Sequence, residues 1–352
     1  SGQCVAWIRN TVSDAVNSYR MMVEQVGREQ IILFHARFTL FDRHMIEEHV
    51  IQTFGKDSSR EHRSGKLIIA TQVLEQSLDV DFDLLITDLA PVELMIQRAG
   101  RLHRHQLSEY YRSPNRGQAT LVIFSPSLQG EIRDDWITQF FPKGSYVYPD
   151  HGRLYLSLVA FSRRKQITLP DDLRAMIEEV YGDDENGTSS LSRLPPGLLN
   201  TTLRDMGKRK GDVSVGMMNV LSFSEGYVYD GIKWADDAYT PTRLSELSVP
   251  VFLGCMKNGG IFPLYGEGLL GWMQSEIFLK EGLLLRSAGD EEIIRAQVNG
   301  FPINQKGAIL MVMKSADCGW MGSGWDNDGK RIEVRYNVKE GFCVHKDGMN
   351  EE

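Results

Sequence analysis

The sequence predicts an α/β fold: a parallel-sheet lobe over residues 1–128, a helical linker region over 129–212, and a small β-rich or α+β domain over 213–352. Three observations carry that prediction. Short apolar runs such as Leu67-Ile68-Ile69-Ala70 and Leu84-Leu85-Ile86 lack Pro and Gly and end in turn-forming polar residues, as buried parallel strands do. Helical patterns follow the first two strands and a charged turn joins the Leu67 and Leu84 runs; strands alternating with helices make a parallel sheet. After Val213 the punctuation changes to glycines, aromatics and short β-rich stretches.

Cys4 to Ile8 reads as the first strand. Thr11 with Asp14 caps a helix whose apolar positions are Val12, Ala15, Val16, Tyr19, Met22, Val23 and Val26, and Gly27 stops it. Ile31 to Phe34 is the second strand and leads into His35-Ala36-Arg37-Phe38. Thr39 with Asp42 caps a second helix that runs to Phe54 and stops at Gly55. Residues 56–66 form a polar, basic loop, whose Arg60, His62, Arg63 and Lys66 are either solvated or brush phosphates. The strands at Leu67 and Leu84 then place Thr71 and Asp88 at strand carboxyl ends, where open α/β sheets bind ligands.

Pro91 suits the first turn of a helix with the apolar face Val92, Leu94, Met95, Ala99 and Leu102. Ala119 to Phe124 completes the sheet before Ser125-Pro126-Ser127 breaks the pattern. Helices are expected at Ile132 to Phe140, Leu154 to Arg164, and from Pro170 to Gly182, followed by an acidic loop over 183–190. Arg204, Lys208, Arg209 and Lys210 form the densest basic cluster, on a helix end at Gly211; it reads as a DNA-backbone track or as a solvated face. Terminal strands are expected at Gly226 to Tyr229, Val249 to Leu253, Ile309 to Val312 and Ile332 to Tyr336. No basic residues alternate with Trp234, Trp272, Trp320 and Trp325, so these read as packing residues.

The chemistry concentrates in Leu67 to His105. On a continuous helix, Gln97, Arg101 and Arg104 at spacings of four and three share a face. One amide and two guanidiniums in a row either form a solvated basic helix or grip an anion, since guanidinium stays charged and holds phosphate oxygens bidentately. Composition narrows the partners. With 39 basic against 47 acidic residues the net charge is −8, against a generally sticky DNA binder. Cys4, Cys255, Cys318 and Cys343 form no C-x-x-C pair, which excludes a zinc ribbon and reads as a reducing, cytoplasmic setting. The longest apolar runs are too short to span a membrane. Ser1-Gly2 precede a strand without an initiator methionine, as expected of a stretch of a longer chain.

Gln97-Arg98-Ala99-Gly100-Arg101-Leu102-His103-Arg104 resembles motif VI of superfamily-two helicases, Q-R-x-G-R-x-x-R, and Ala70-Thr71 through Asp79 resembles their motif V. The wording Thr71 to Asp83, with His35-Ala36-Arg37-Phe38, Leu169 to Tyr181 and Pro241-Thr242-Arg243-Leu244, is similar to the helicase-nuclease of type I CRISPR-Cas systems, with a type I-E-like flavour. That resemblance implies a RecA-like second motor lobe. It implies Arg101 and Arg104 as finger arginines and Gln97 beside them at the γ-phosphate. Gly100 lies in the nucleotide contact, and Asp79 faces the ribose or the motif VI arginines. Thr71, Arg37, His35 and Thr11 become nucleic-acid contacts. Ser77 stands where many helicases have Gly, which leaves the geometry of that turn open.

No G-x-x-x-x-G-K-[ST], no D-E-x-H or D-E-A-D box and no His-Asp pair occurs in the chain. The resemblance therefore implies that ATP and magnesium belong to the complete protein, with none bound by this stretch alone. Its implied partners are single-stranded DNA, an upstream first lobe with a nuclease domain, and the Cascade surveillance complex. Two other readings stand beside this one: the second lobe of another superfamily-two RNA or DNA helicase, and a catalytically silent RecA-like docking module.

Overall fold

A computed structural model describes residues 2–75, 78–105, 116–182, 189–219, 248–287, 308–317 and 319–345. Gly226 to Tyr229, Trp234, the Pro241 to Leu244 word, Ser77, Cys318 and the acidic loop over 183–188 lie outside the described residues. Two compact units divide the chain. One comprises Ser1–Leu89, Leu94–Phe124 and Leu247–Glu352, the other Ala90–Glu93 and Ser125–Glu246.

The first unit opens with β1 (Val5–Ile8), α1 (Val12–Val26), β2 (Ile31–Phe34), α2 (Leu40–Phe54), α3 (Arg60–Arg63), β3 (Leu67–Ala70), β4 (Leu84–Asp88), α4 (Val92–Ala99) and β5 (Thr120–Phe124). The five strands are all parallel, in the order β2-β3-β1-β4-β5. Both long helices start as their caps dictate: the Thr11 hydroxyl accepts from the Asp14 amide at 3.1 Å, and the Thr39 hydroxyl from the Asp42 amide at 3.2 Å. One face of the sheet buries Ile8, Phe34, Ile68, Ala70 and Leu85 with Val50 and Phe54 of α2; the other sets Leu33 and Ile69 against Ala15, Val16 and Tyr19 of α1.

Two expectations change. The basic loop over 56–66 contains α3, and its Arg63 is fully buried rather than solvated. The turn expected after β3 holds a 3-10 helix at Gln72–Glu75. The helix from Pro91 ends at Ala99, so Arg101 and Arg104 lie beyond it. Leu102 there forms a parallel bridge with Phe82, and His103 takes positive φ, which turns the chain out of helical geometry.

The second unit holds α5 (Trp136–Phe140), α6 (His151–Ser162), α7 (Leu173–Tyr181) and α8 (Pro196–Asn219). Each of the first three is shorter or shifted against its expected span, and α8 passes through Gly211 instead of ending there. Asp150 ties this unit together: it caps α6 through the Arg153 amide at 3.0 Å and accepts from the Thr202 hydroxyl of α8 at 2.7 Å. Lys208, Arg209 and Lys210 are exposed, and Arg209 pairs with Asp205.

The remainder of the first unit is a mixed sheet of β6 (Ser248–Lys257), β7 (Gly260–Pro263), β8 (Glu276–Lys280), β9 (Arg286–Ser287), β10 (Ile309–Ala316), β11 (Gly319–Trp325), β12 (Arg331–Asn337) and β13 (Gly341–His345), with α9 (Gly268–Gln274) after β7. Its main path runs β13-β12-β11-β10-β6-β7. Alternation along β12 buries Ile332, Val334 and Tyr336 and turns the charged residues between them outward. Trp272 is buried against Phe252 and Ile261, a packing residue as expected. Cys4, Cys255 and Cys343 are buried and unpaired by disulfide. No helix among the described residues is long and apolar enough to cross a membrane.

Candidate nucleotide and nucleic-acid sites

The sequence-predicted residues fall into two groups. Thr11, His35, Arg37 and Thr71 follow the carboxyl ends of the adjacent strands β1, β2 and β3. Phe34 and Ala70 are paired, as are Ile8 and Ala70, so the three chain exits lie side by side. The Arg101–His103 backbone runs instead beside Phe82, just ahead of β4. There the Phe82 amide donates to Arg101 O at 3.0 Å, the His103 amide to Phe82 O at 3.1 Å, and the Asp83 amide to Cys4 O at 3.0 Å.

Glu75 and residues 78–83 act as a rail for the arginines. The Arg101 guanidinium donates to the carbonyl of Leu78 and, at 2.9 Å, to that of Glu75. Both acceptors are neutral, and no carboxylate of a described residue pairs with it. Burial, then the neighbouring Arg104 charge, pulls the Arg101 pKa below the usual guanidinium range. Arg104 Nε donates to Asp79 Oδ1 at 2.7 Å, and His105 Nε2 lies 3.0 Å from the same oxygen. These hydrogen bonds, that of His105 first, hold the Asp79 carboxyl below its ordinary range. The side chains of Arg104 and Asp79 are 45% and 61% exposed, so solvent screens the pair. Gln97 is exposed and Gly100 partly so. A Cβ on Gly100 would meet Gln97 O at 3.4 Å and Ile96 O at 3.6 Å, ordinary contacts; packing within this chain does not demand glycine there.

Sequence reasoning missed what lies beneath. Arg98 is fully buried and binds the Glu75 carboxylate at 2.7 Å, the Thr87 hydroxyl at 2.6 Å and Asp88 O at 3.1 Å. Asp81, also fully buried, accepts from Arg63 at 2.9 Å, Arg116 at 2.7 Å and the His105 amide at 2.7 Å; Asp83 faces Arg116 at 3.3 Å. The signal was present in the alternation Asp79, Asp81, Asp83: on an extended chain these carboxylates share a side. Asp88 also departs from expectation. It is fully buried against Arg9 at 2.9 Å and accepts from the Asn10 amide, rather than waiting for ligand, and burial raises its pKa.

At the carboxyl edge, Thr11 is committed to its cap and donates to Asp14 Oδ2 at 2.6 Å. Thr71 is buried, and its amide extends the ladder to Phe34 O at 3.1 Å. Arg37 is partly exposed. His35 corrects the expectation of a phosphate contact: it is 0% exposed, stacks on Phe38 at 4.5 Å, accepts the Arg37 amide at Nδ1 and directs Nε2 to Glu340 O at 3.0 Å. Desolvation, with Arg37 nearby, pushes its pKa down to about 3, so the ring is neutral and Nε2 carries the proton.

Residues 1–107 match the family model described as CRISPR-associated nuclease/helicase Cas3, C-terminal. The Escherichia coli K12 endonuclease/helicase Cas3 is 35% identical across 87% of this chain. Over most of its length the chain is similar to part of the Cas3 nuclease/helicases. The Thermus thermophilus Cas3 is 40% identical over 55% of the chain. The chain spans 36% of the E. coli relative and 20% of the Thermus one, about a third of their length or less. A structure of a CRISPR-associated protein, 26% identical, superposes with TM-score 0.69 over 98% of this chain and 38% of its own. The T. fusca Cas3-ATP structure, at 22% identity, superposes with TM-score 0.71 over 97% of this chain and 39% of its own, and so shares the fold. These relatives are named as nucleases and helicases, hence enzymes, and the RecA-like lobe with its β-rich terminal domain is the Cas3 arrangement of α/β parts.

Proposed function

We propose that this chain supplies the second motor lobe, linker and terminal domain of an ATP-dependent, single-stranded-DNA-translocating Cas3 helicase-nuclease that unwinds and degrades foreign DNA in CRISPR interference. The observation that carries the reading is Arg101: a cation seated on two neutral carbonyls, beside a second guanidinium whose partner is solvent-exposed. Such a pair is short of negative charge, and an anion such as a γ-phosphate fits it.

Bound ATP supplies the phosphoryl group whose transfer to water drives the motor. Arg101, held by the Glu75 and Leu78 carbonyls, presents positive charge without reorganising. Arg104 exchanges Asp79 for phosphate when the lobes close, leaving Asp79 to His105. Gln97 adds an amide beside them, and Gly100 lets a ligand approach the backbone. Arg37, with Thr71 and Thr11 at neighbouring strand ends, tracks the DNA backbone, while His35 serves from inside as a fixed support. The phosphate loop, magnesium ligands and nuclease come from an upstream first lobe and nuclease domain, and Cascade delivers the DNA. The chain alone is then inactive as an ATPase.

DNA-stimulated ATP turnover, measured for this chain and for the full-length protein with and without Arg101→Ala, tests the reading. Expected are a silent chain, an active full-length protein, and a fall of about 10³ to 10⁵ in turnover for Arg101→Ala, the typical loss of a finger arginine. Unaided hydrolysis by this chain would overturn the placement of the γ-phosphate between two lobes, and an unchanged Arg101→Ala would favour the silent docking module.

A further inference from the structure

The turn between β12 and β13 grips the segment that carries Arg37, and we propose that this grip makes the terminal domain a positioning element for the DNA-facing edge of the motor lobe. The inference rests on Arg37 being a nucleic-acid contact.

Residues 35–39 connect a strand end to a helix, the kind of connection that is ordinarily mobile. Here its backbone is spoken for by residues some 300 positions away. The Phe342 amide donates to Arg37 O at 2.9 Å. His35 relays a second tie: its Nδ1 accepts the Arg37 amide at 3.1 Å while Nε2–H donates to Glu340 O at 3.0 Å. Arg37 is thereby fixed through both its N–H and its C=O. Glu340 is itself anchored by Arg20 of α1 at 2.7 Å.

Two residues on, the buried Tyr336 hydroxyl accepts the Thr39 amide at 3.1 Å and donates to the Asp42 carboxylate, which also takes the Tyr265 hydroxyl at 2.7 Å. Fit at the turn is close. Gly341 has φ +72°, and a Cβ there would stand 2.7 Å from His35 Cε1 and 2.8 Å from Arg37 O. Any side chain at 341 must move the Arg37 segment or the turn.

If Arg37 meets DNA, these ties hold its backbone in place before DNA arrives. Gly341 and Tyr336 are then positioning residues that set DNA affinity without touching the phosphoryl site. The test uses the full-length protein, titrating single-stranded DNA in the ATPase assay and by fluorescence anisotropy without nucleotide. Gly341→Ala and Tyr336→Phe are each expected to raise the half-saturating DNA concentration about tenfold, roughly the factor of one lost hydrogen bond, and to leave turnover at saturating DNA within about twofold. Arg37→Ala is the reference. If Arg37→Ala leaves half-saturation unchanged, the DNA role of Arg37 falls and this inference with it. If Arg37→Ala weakens binding but the two grip variants do not, only the inference falls. Loss of saturated turnover in folded grip variants overturns it as well, since the effect would then be general. Should Gly341→Ala not fold, Tyr336→Phe, which deletes one oxygen, decides.

Discussion

The arginine cluster at 101–105 and the segment at 35–39 both lie in loops of the same lobe, yet they are held in contrasting ways. The partners of Arg101 and Arg104 lie 23 to 26 residues back in sequence and are neutral carbonyls or one exposed carboxylate. His35 and Thr39 are themselves buried, and reach roughly 300 residues ahead to the half-buried Glu340 and the buried Tyr336. An exposed ion pair in water is worth little and can be exchanged for a phosphate. A buried hydrogen-bonded node is costly to open and fixes geometry. Charge that must change partners during a cycle sits in the first kind of site, and backbone that must stay still sits in the second.

The largest effect that would sharpen this contrast belongs to the carboxylate beneath the arginines. Asp81→Ala leaves Arg63 and Arg116 without their shared buried partner and is expected to lower unfolding free energy by about 3–5 kcal/mol, read by urea denaturation of this chain. A loss below about 1 kcal/mol would mean that the network is hydrated and that the rail is softer than argued.

The next effect is a pH dependence. His35 has its folded pKa at about 3, below the ordinary value of 6.5. Its contribution to stability is full above about pH 6.5, where both states are neutral, and is lost as pH falls towards 3, because the unfolded chain takes up the proton first. The slope in that window approaches about 1.4 kcal/mol per pH unit. His49 and His345 are shifted in the same direction, so the measurement is the difference in slope between wild type and His35→Gln. Equal slopes would show that the ring is not sealed at this junction.

The smallest effect is the most diagnostic. Arg104→Ala removes an exposed pair and is expected to change stability by less than about 1 kcal/mol, while DNA-stimulated turnover of the full-length protein collapses. A large stability loss with modest loss of turnover would place Arg104 among the fixed groups and break the comparison.

Much of the lobe was legible because its signals are local. Thr11 and Thr39 cap their helices as their hydroxyls and following acids predict, and the apolar runs became parallel strands. The Gln97-to-Arg104 wording pointed to the family, but periodicity misplaced its geometry: assuming one helix to Leu102 set Gln97, Arg101 and Arg104 on a single face. The Phe82–Leu102 bridge ends that helix at Ala99. Pairing with a strand-like segment outcompeted the continuation of a one-sided helix, and no windowed pattern contains that competition. His35 was misassigned for a related reason, since a polar residue at a strand end looks available until the domain that covers it is known.

By itself, then, the amino-acid order determined the parallel lobe, its helix starts and the identity of the charged groups that carry the likeness to Cas3, because capping, strand burial and motif wording depend on neighbours a few residues apart. Only the tertiary structure decided which charges are exposed and exchangeable, which are buried in the Asp81 and Asp42 nodes, and that the β12–β13 turn holds Arg37. Those outcomes depend on desolvation and hydrogen-bond geometry between groups tens to hundreds of residues apart.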